Sequence, residues 1–357
     1  MSRPSSRTEP PTSSLFGEGA GPAPVHEGQA PSGSARVFVS DLRKDQRVAG
    51  AVFLVISKSL RSTQSGNAFL ALELRDRTGR IQARLWDNAE ALQSLAVLDG
   101  FVRLGGHVSE YGGLLQVNIN ELEAVAVESV DLADFLPAST RDPGTMEAEL
   151  RGLVAGIVSA PLRTLAESFF GDPEFWPLFR RCPAAKQIHH AVLGGLLEHS
   201  LAVAGLCLDM AGRYPPLDRD LLLTGALLHD MGKVRELSWT RRFDYTDEGQ
   251  LIGHVVLGAE MVSERAAKLT SPPDPETLLR LRHMILSHHG QYEWGSPKRP
   301  MTLEAVALHY ADDLDGKLNT VEDTLRTEGE RDPDSRWTPY HRTLDRYLYK
   351  GSRGDGR

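Results

Sequence analysis

The chain is poor in cysteine, in long apolar runs and in net positive charge, and each shortage excludes a class of protein. Its 2 cysteines, Cys182 and Cys207, stand 25 positions apart with no CxxC spacing, which excludes a disulfide scaffold and a zinc ribbon and suits a reducing compartment. The longest purely apolar run, Ala51 to Ile56, falls far short of the ~20 residues that a bilayer helix needs. The opening residues Met1-Ser2-Arg3-Pro4-Ser5-Ser6 lack the apolar stretch of a secretory signal, so the expected location is cytoplasmic and no membrane partner is expected. Lys+Arg 40 against Asp+Glu 48 leaves a net charge of −8; a protein that coats polyanions over its whole surface is excluded, and any nucleic-acid contact has to be local. Apolar character, in contrast, is ample. With 357 residues, 41% of them hydrophobic, the sequence predicts two or three domains with real cores.

Residues 1–35 hold 6 Pro, 5 Gly and 7 Ser, too little apolar material to offset the entropy of ordering, and predict a disordered tail. From residue 36 to 127 the pattern turns to short alternating runs punctuated by glycine. Ala68 to Leu74, Arg80 to Trp86, Phe101 to Val108 and Leu114 to Ile119 read as strands, with Arg77-Thr78-Gly79 and Tyr111-Gly112-Gly113 as turns and a helix from Ala89 to Leu98 between them. Strand, strand, strand, helix, strand, strand predicts a five-stranded OB-type barrel. Residues 128–148, with Pro137, Pro143 and Gly144, read as a linker. Over 149–327 the period is helical: Leu193, Leu196, Leu197, Leu201, Ala204 and Leu208 recur at three- and four-residue spacing, as do Leu278, Leu281 and Ile285. The fold class is therefore a small β-barrel followed by an all-α domain. A C-terminal extension, 328–357, carries Trp337, Tyr340, Tyr347 and Tyr349, which a disordered tail would lack.

Of 12 histidines, nine fall between His189 and His309, in the order His199, His229-Asp230, His254, His288-His289, Asp312 once the two carboxylates are added. Imidazole with carboxylate suits Mn, Fe, Co, Ni or Zn, and a two-metal centre needs about six such ligands converging from several helices, one a carboxylate able to bridge. The settings fit that chemistry. Leu221 to Leu228 is apolar nearly all round, so it predicts a buried helix that delivers His229-Asp230 at its end. His288 continues the inward face of Leu278, Leu281 and Ile285, and Asp312 shares a face with Ala305 and Leu308. Any one of these histidines alone reads as a hydrogen-bonded core residue; the ordered series on successive helices does not.

That series resembles the HD-domain metal-dependent phosphohydrolases. The longer runs His189-His190-Ala191-Val192-Leu193-Gly194-Gly195-Leu196-Leu197-Glu198-His199, Leu227-Leu228-His229-Asp230-Met231-Gly232-Lys233, Gly253-His254-Val255-Val256-Leu257-Gly258, Ser287-His288-His289-Gly290 and Leu308-His309-Tyr310-Ala311-Asp312-Asp313-Leu314-Asp315 are similar to the YhaM-type 3′-5′ exoribonucleases, in which an OB-type domain precedes the HD domain. The resemblance spans about residues 36 to 350 and leaves the 1–35 tail outside. It implies one metal on His199, His229, Asp230 and Asp312 and a second on His254 and His288, with Asp230 bridging and His289 as the alternative to His288. It implies hydrolysis by water activated between the metals, manganese first among Mn, Co, Fe, Ni, Zn and Mg. Lys233 is a candidate for a non-bridging phosphate oxygen or else a solvated residue in the helix's last turn, and His190 for a phosphate hydrogen bond, for protonating the leaving group, or for a core role. Lys186 is a weaker candidate.

The net charge hides an asymmetry. Residues 58–84 carry Lys58, Arg61, Arg75, Arg77, Arg80 and Arg84 against Glu73 and Asp76 only. If Leu70, Leu72 and Leu74 point into the barrel, Phe69 and Arg75 point out; if Ile81, Ala83 and Leu85 point in, Arg84 and Trp86 point out. An outer face of aromatics and arginine is where OB-folds stack single-stranded bases, although Phe69 and Trp86 could instead bury against the α domain. Tyr292 and Trp294, beyond His288-His289, read either as a stacking site for a terminal base or as loop packing. The expected function is a 3′-5′ exoribonuclease that takes single-stranded RNA, with single-stranded DNA as a second substrate, and releases nucleoside monophosphates. A nucleotide or cyclic-nucleotide phosphohydrolase and a non-catalytic nucleic-acid-binding adaptor are the alternatives, and a homo-oligomer stays open.

Overall fold

The computed structural model describes residues 36–63, 65–186, 190–240 and 242–351; the tail expected over 1–35 lies outside the described residues. Five strands close a barrel: β1 (Arg47–Ser62), β2 (Ala68–Asp76), β3 (Gly79–Leu85), β4 (Phe101–Tyr111) and β5 (Leu114–Val125), in the order β1-β2-β3-β5-β4. The long β1 pairs with β4 through its first half and with β2 through its second, bending at an irregularity between Val55 and Ser57. The alternation seen in the sequence is the barrel's inside and outside: Leu70, Leu72, Leu74, Ile81, Ala83 and Leu85 are buried with Phe53, Val102 and Val117. Closure depends on Gly106, where a Cβ would sit 2.1 Å from the Asn118 carbonyl oxygen at the β4/β5 register shift.

The helix expected over Ala89 to Leu98 is one turn only, α1 (Ala89–Leu92). Strand pairing takes over just beyond it: Asp99 donates to the Val55 carbonyl and Val55 to the Gly100 carbonyl, and a continued helix would carry both residues away from β1. The segment read as a linker is equally constrained. Leu132, Phe135 and Leu136 are buried in the helical core together with Leu54 and Phe101 of the barrel, with the Phe101 and Phe135 rings 4.7 Å apart. Pro143 opens a helix, with Asp142 capping it by accepting from the Thr145 amide.

The helices are α2 (Pro143–Ala155), α3 (Ala160–Phe170), α4 (Phe175–Arg181), α5 (Gly195–Arg213), α6 (Arg219–Leu228), α7 (Lys233–Glu236), α8 (Asp247–Leu251), α9 (His254–Ala267), α10 (Pro275–Ser287) and α11 (Leu303–Arg331). A two-stranded ribbon, Leu237–Ser238 with Asp244–Tyr245, departs from the expected all-α pattern. Helix α6, buried along Leu221 to Leu228, is the central element, flanked by α3, α5, α10 and α11. Past α11 the chain folds back as a hairpin with bridges Trp337–Tyr349 and His341–Arg346. No helix among the described residues is long and apolar enough to cross a membrane.

Candidate metal centre and nucleic-acid face

The end of α6 sets the centre. Eight consecutive buried residues carry the chain to His229 and Asp230, also fully buried, and Met231-Gly232 then turns it into α7. Gly232 permits that turn, because a Cβ there would lie 2.1 Å from the His254 carbonyl oxygen and 2.8 Å from the Gly258 nitrogen, so α9 can begin directly against the corner. His199 comes from α5, His254 opens α9, His288 and His289 come just after α10, and Asp312 stands on the inner face of α11.

These side chains converge on the two oxygens of Asp230. Its Oδ2 lies 3.5 Å from Nε2 of both His199 and His229, and its Oδ1 lies 3.3 Å from Nε2 of His254 and 3.4 Å from Nε2 of His288. Asp312 Oδ1 closes the first group at 3.1 Å from His199 Nε2 and 3.8 Å from His229 Nε2. His289 Nε2 closes the second at 3.0 Å from His254 Nε2. The choice between His288 and His289 thus resolves into both residues at the centre, one facing Asp230 and the other facing His254.

The tautomers are set from behind. His229 donates from Nδ1 to the Ala226 carbonyl at 2.8 Å and His288 from Nδ1 to the Ile285 carbonyl at 2.7 Å. His254 Nδ1 meets Glu236 Oε1 at 2.8 Å, and His199 Nδ1 meets Asp315 Oδ2 at 2.7 Å. Each Nδ1 carries its proton outward, which leaves the Nε2 lone pair pointing into the centre. Lone pairs then face each other, with the Nε2 atoms of His199 and His229 only 3.2 Å apart. Asp230 Oδ1 and His288 Nε2 are buried without a hydrogen-bond partner. Buried acceptors turned on one another are costly unless a cation lies among them, and donor sets of three or four such atoms lie within 4.8 Å of one another here. The residues fit divalent metal.

Charge agrees. Burial works against ionisation of Asp230, but the Lys233 ammonium beside it outweighs burial and holds the carboxyl well below its usual range. Asp312 is likewise depressed against burial, by the hydrogen bond from His199 and the charge on that ring. Burial pushes His229 down to about 4, so it is a neutral donor. Against burial, Asp312 and Asp315 push His199 up to about 9 in the absence of a cation, a proton then standing where a metal would.

Lys233 Nζ lies 2.6 Å from Asp230 Oδ2 and is nearly buried. His190 takes the core placement among those expected of it: its Nε2 lies 3.1 Å from Asp315 Oδ2, the carboxylate oxygen that also holds His199, and its Nδ1 lies 3.7 Å from Glu198. It stands behind His199 as a positioning residue. Lys186 bonds Asp244 at 2.7 Å on the small ribbon and is not brought to the centre. Glu236 and Asp315 were not foreseen; the signal for Asp315 was its place one helical turn past Asp312.

On the barrel, Phe69 and Trp86 stack with centroids 4.7 Å apart and planes at 29°, and Trp86 is 41% exposed, so neither is buried against the helices. The Arg84 guanidinium sits 5.7 Å from both rings and 5.3 Å from Tyr111, an exposed hairpin residue that adds a third ring. Arg75 does not join them. Its Nε and Nη2 donate to the Phe135 carbonyl at 3.3 Å, and burial lowers its pKa, so it serves the junction between the barrel and the helical domain. Tyr292 and Trp294 are more than half exposed on a 3-10 turn, Trp294 with its ring 6.3 Å from that of His309.

Comparison with known proteins places these observations in a family. The model described as HD domain matches residues 196–317, and that described as OB-fold nucleic acid binding domain matches residues 48–125. The chain is 35% identical over 277 residues to the 3′-5′ exoribonuclease YhaM of Listeria monocytogenes serotype 4b (strain CLIP80459), covering 77% of this chain and 87% of that protein. It is 36% identical over 275 residues to the protein of the same name from Bacillus subtilis (strain 168), covering 76% and 86%. Among solved structures, the second OB-fold domain of replication protein A from Methanococcus maripaludis covers 26% of this chain and 95% of that one at 18% identity, with a TM-score of 0.22. On the identity and coverage of the first two, the chain belongs to the YhaM family of 3′-5′ exoribonucleases, with an OB-fold ahead of an HD domain.

Proposed function

We propose that this chain is a metal-dependent 3′-5′ exoribonuclease, cytoplasmic, that captures single-stranded RNA on the barrel and hydrolyses its 3′-terminal phosphodiester at the Asp230 centre, releasing nucleoside monophosphates. Single-stranded DNA is a second substrate of the same chemistry. The domains at work are residues 36–127 for capture and 149–327 for hydrolysis. The observation that carries the reading is the division of Asp230: each carboxylate oxygen faces its own pair of imidazole Nε2 atoms, as a bridge between two metal positions requires. His199, His229, Asp230 and Asp312 would hold one ion, and His254, His288, His289 and Asp230 the other. Imidazoles and carboxylates without thiolate suit Mn, Fe, Co, Ni or Zn; manganese is taken first, with Co, Fe, Ni, Zn and Mg as alternatives. Such a pair supplies hydroxide at neutral pH and stabilises charge on the departing oxygen.

The protein's own groups do the rest. Lys233 keeps Asp230 ionised and adds positive charge where a phosphate would lie. Glu236 and Asp315 fix the rings of His254 and His199, and His190 supports Asp315. Phe69, Trp86 and Tyr111 offer flat faces to successive bases, with Arg84 among them for phosphate. Trp294, beside His309, and Tyr292 on the same turn would stack the terminal base. The test is digestion of end-labelled single-stranded RNA and DNA with Mn, Mg, Co and Zn in parallel. A 3′-labelled strand should give labelled mononucleotide at once and a 5′-labelled strand a shortening ladder; efficient cleavage of circular RNA would defeat the exonuclease reading.

A further inference from the structure

Helix α11 is apolar on two opposite faces, and among the described residues only one of them is covered. Its inner face packs Ala305, Leu308 and Ala311 into the helical core and carries Asp312 to the metal centre. Leu303, Val306, Tyr310, Leu314 and Leu318 are 42% to 62% exposed. At 100° per residue they fall in a sector roughly 120° wide, centred opposite Asp312. Scattered exposed leucines need no explanation, but a continuous stripe of apolar side chains along one helix marks an interaction surface.

The spacing of the stripe says what covers it. Counted from Leu314, apolar residues stand four, eight and eleven positions toward the N-terminus, at Tyr310, Val306 and Leu303. Toward the C-terminus they stand four, seven and eleven positions away, at Leu318, Val321 and Leu325, the last two partly exposed. The pattern is nearly the same in both directions. A repeat of eleven over three turns keeps the stripe almost parallel to the helix axis for about 33 Å, with little supercoiling required. We infer that this face of α11 pairs with the same face of a second copy of the chain, antiparallel about a two-fold axis at Leu314. Leu303 then lies against Leu325 of the partner and Tyr310 against Leu318 of the partner, the self-complementary contact that a two-fold dimer requires.

Charge and area agree with that occupant. The charged groups bordering the middle of the stripe, Asp313 and Lys317, pair with each other at 2.6 Å. The face is close to neutral there, poor for a nucleic acid and free of repulsion between copies. The five exposed side chains offer on the order of 500 Å² per copy, and Met301 at the N-terminal end, itself 71% exposed, extends the patch. Two copies together approach the ~1,200 Å² at which specific interfaces begin, which predicts a dimer that dissociates on dilution.

Sedimentation of the full chain over a range of concentrations tests this, reading the 39.2 kDa monomer against twice that mass. The wild type should shift from monomer to dimer in the micromolar range. Leu314→Glu and Leu314→Lys should each be monomeric while retaining the wild-type circular dichroism, and an equimolar mixture should dimerise again, because the axis brings unlike charges together. Leu318→Glu should also be monomeric. A wild type monomeric throughout, or dimers that persist in these variants, would overturn the proposal. So would a Leu314→Glu/Leu314→Lys mixture that stays monomeric. Loss of RNA affinity in Leu314→Glu with a wild type that never dimerises would assign the stripe to the nucleic acid instead. None of these readings depends on the reaction the metal centre performs.

Discussion

Trp86→Ala removes the most exposed ring of the Phe69–Trp86 pair and tests whether the barrel face captures the strand. The indole is 41% exposed and its N–H donates to Asn118 Oδ1 at 3.1 Å, so truncation costs the fold one exposed hydrogen bond, about 1 kcal/mol. The effect on binding should be larger. Stacking of a base on an aromatic ring contributes roughly 1 to 3 kcal/mol, which corresponds to roughly 5- to 150-fold in the dissociation constant. Part of the loss should pass through Phe69, which Trp86 holds at 4.7 Å. Fluorescence anisotropy with labelled single-stranded RNA in the presence of chelator reads binding without cleavage, and turnover on long RNA and on dinucleotides is then measured with metal restored. Affinity for long RNA should fall and KM on it should rise, while dinucleotide turnover stays near wild type because so short a substrate reaches the metals without spanning the barrel. A variant that folds normally and binds long RNA as the wild type does would refute the assignment and leave these rings as surface packing.

The carboxylates behind the histidines should act on the metal: Asp315→Asn and Glu236→Gln should each weaken metal affinity about 10- to 100-fold, read by metal titration followed through thermal unfolding, and an unchanged affinity would remove them from the site. Metal affinity should rise with pH, because His199, held protonated up to about 9 by Asp312 and Asp315 when no cation is present, must release that proton on binding. The slope should be at least tenfold per pH unit below that value, because His254, also raised by Asp230 and Glu236, gives up a proton as well, and calorimetry in buffers of different ionisation enthalpy counts the protons released; a flat profile would contradict the geometry at His199. Gly232→Ala would drive a Cβ into the His254 carbonyl, so it should destabilise the fold by about 1 to 3 kcal/mol and lower metal affinity as α9 moves. Wild-type unfolding and metal binding in that variant would show that the corner between α6 and α9 is slack.

The parts of this architecture that were legible in the sequence are those where one physical pattern acts alone. Alternation over Leu70 to Leu74 and over Ile81 to Leu85 declares an inside and an outside, and it correctly set Phe69, Arg84 and Trp86 on the outer face. The buried run before His229 left two polar residues in need of partners, and the structure supplies them. What stayed hidden was decided by other parts of the chain. The helix expected through Leu98 lost its second half to strand pairing at Asp99 and Gly100. The supposed linker became core because Phe135 meets Phe101, a contact from a strand some thirty positions earlier. Arg75 obeys the same alternation as Arg84 yet lies at the domain junction, since period-2 patterning gives a face and not a position along it. The meeting of His190 with Asp315 carries no local mark, as it depends on how the segment ahead of α5 lies against α11.

The central claim is that Asp230 would hold two divalent ions at once and that hydrolysis of the phosphodiester depends on it. It is tested most directly by measuring metal content, RNA affinity and turnover on one preparation each of wild type and Asp230→Ala. The account predicts two ions per chain and full turnover in the wild type, and in the variant loss of both ions and of hydrolysis with RNA affinity retained through the barrel. Near-normal turnover in Asp230→Ala would contradict it.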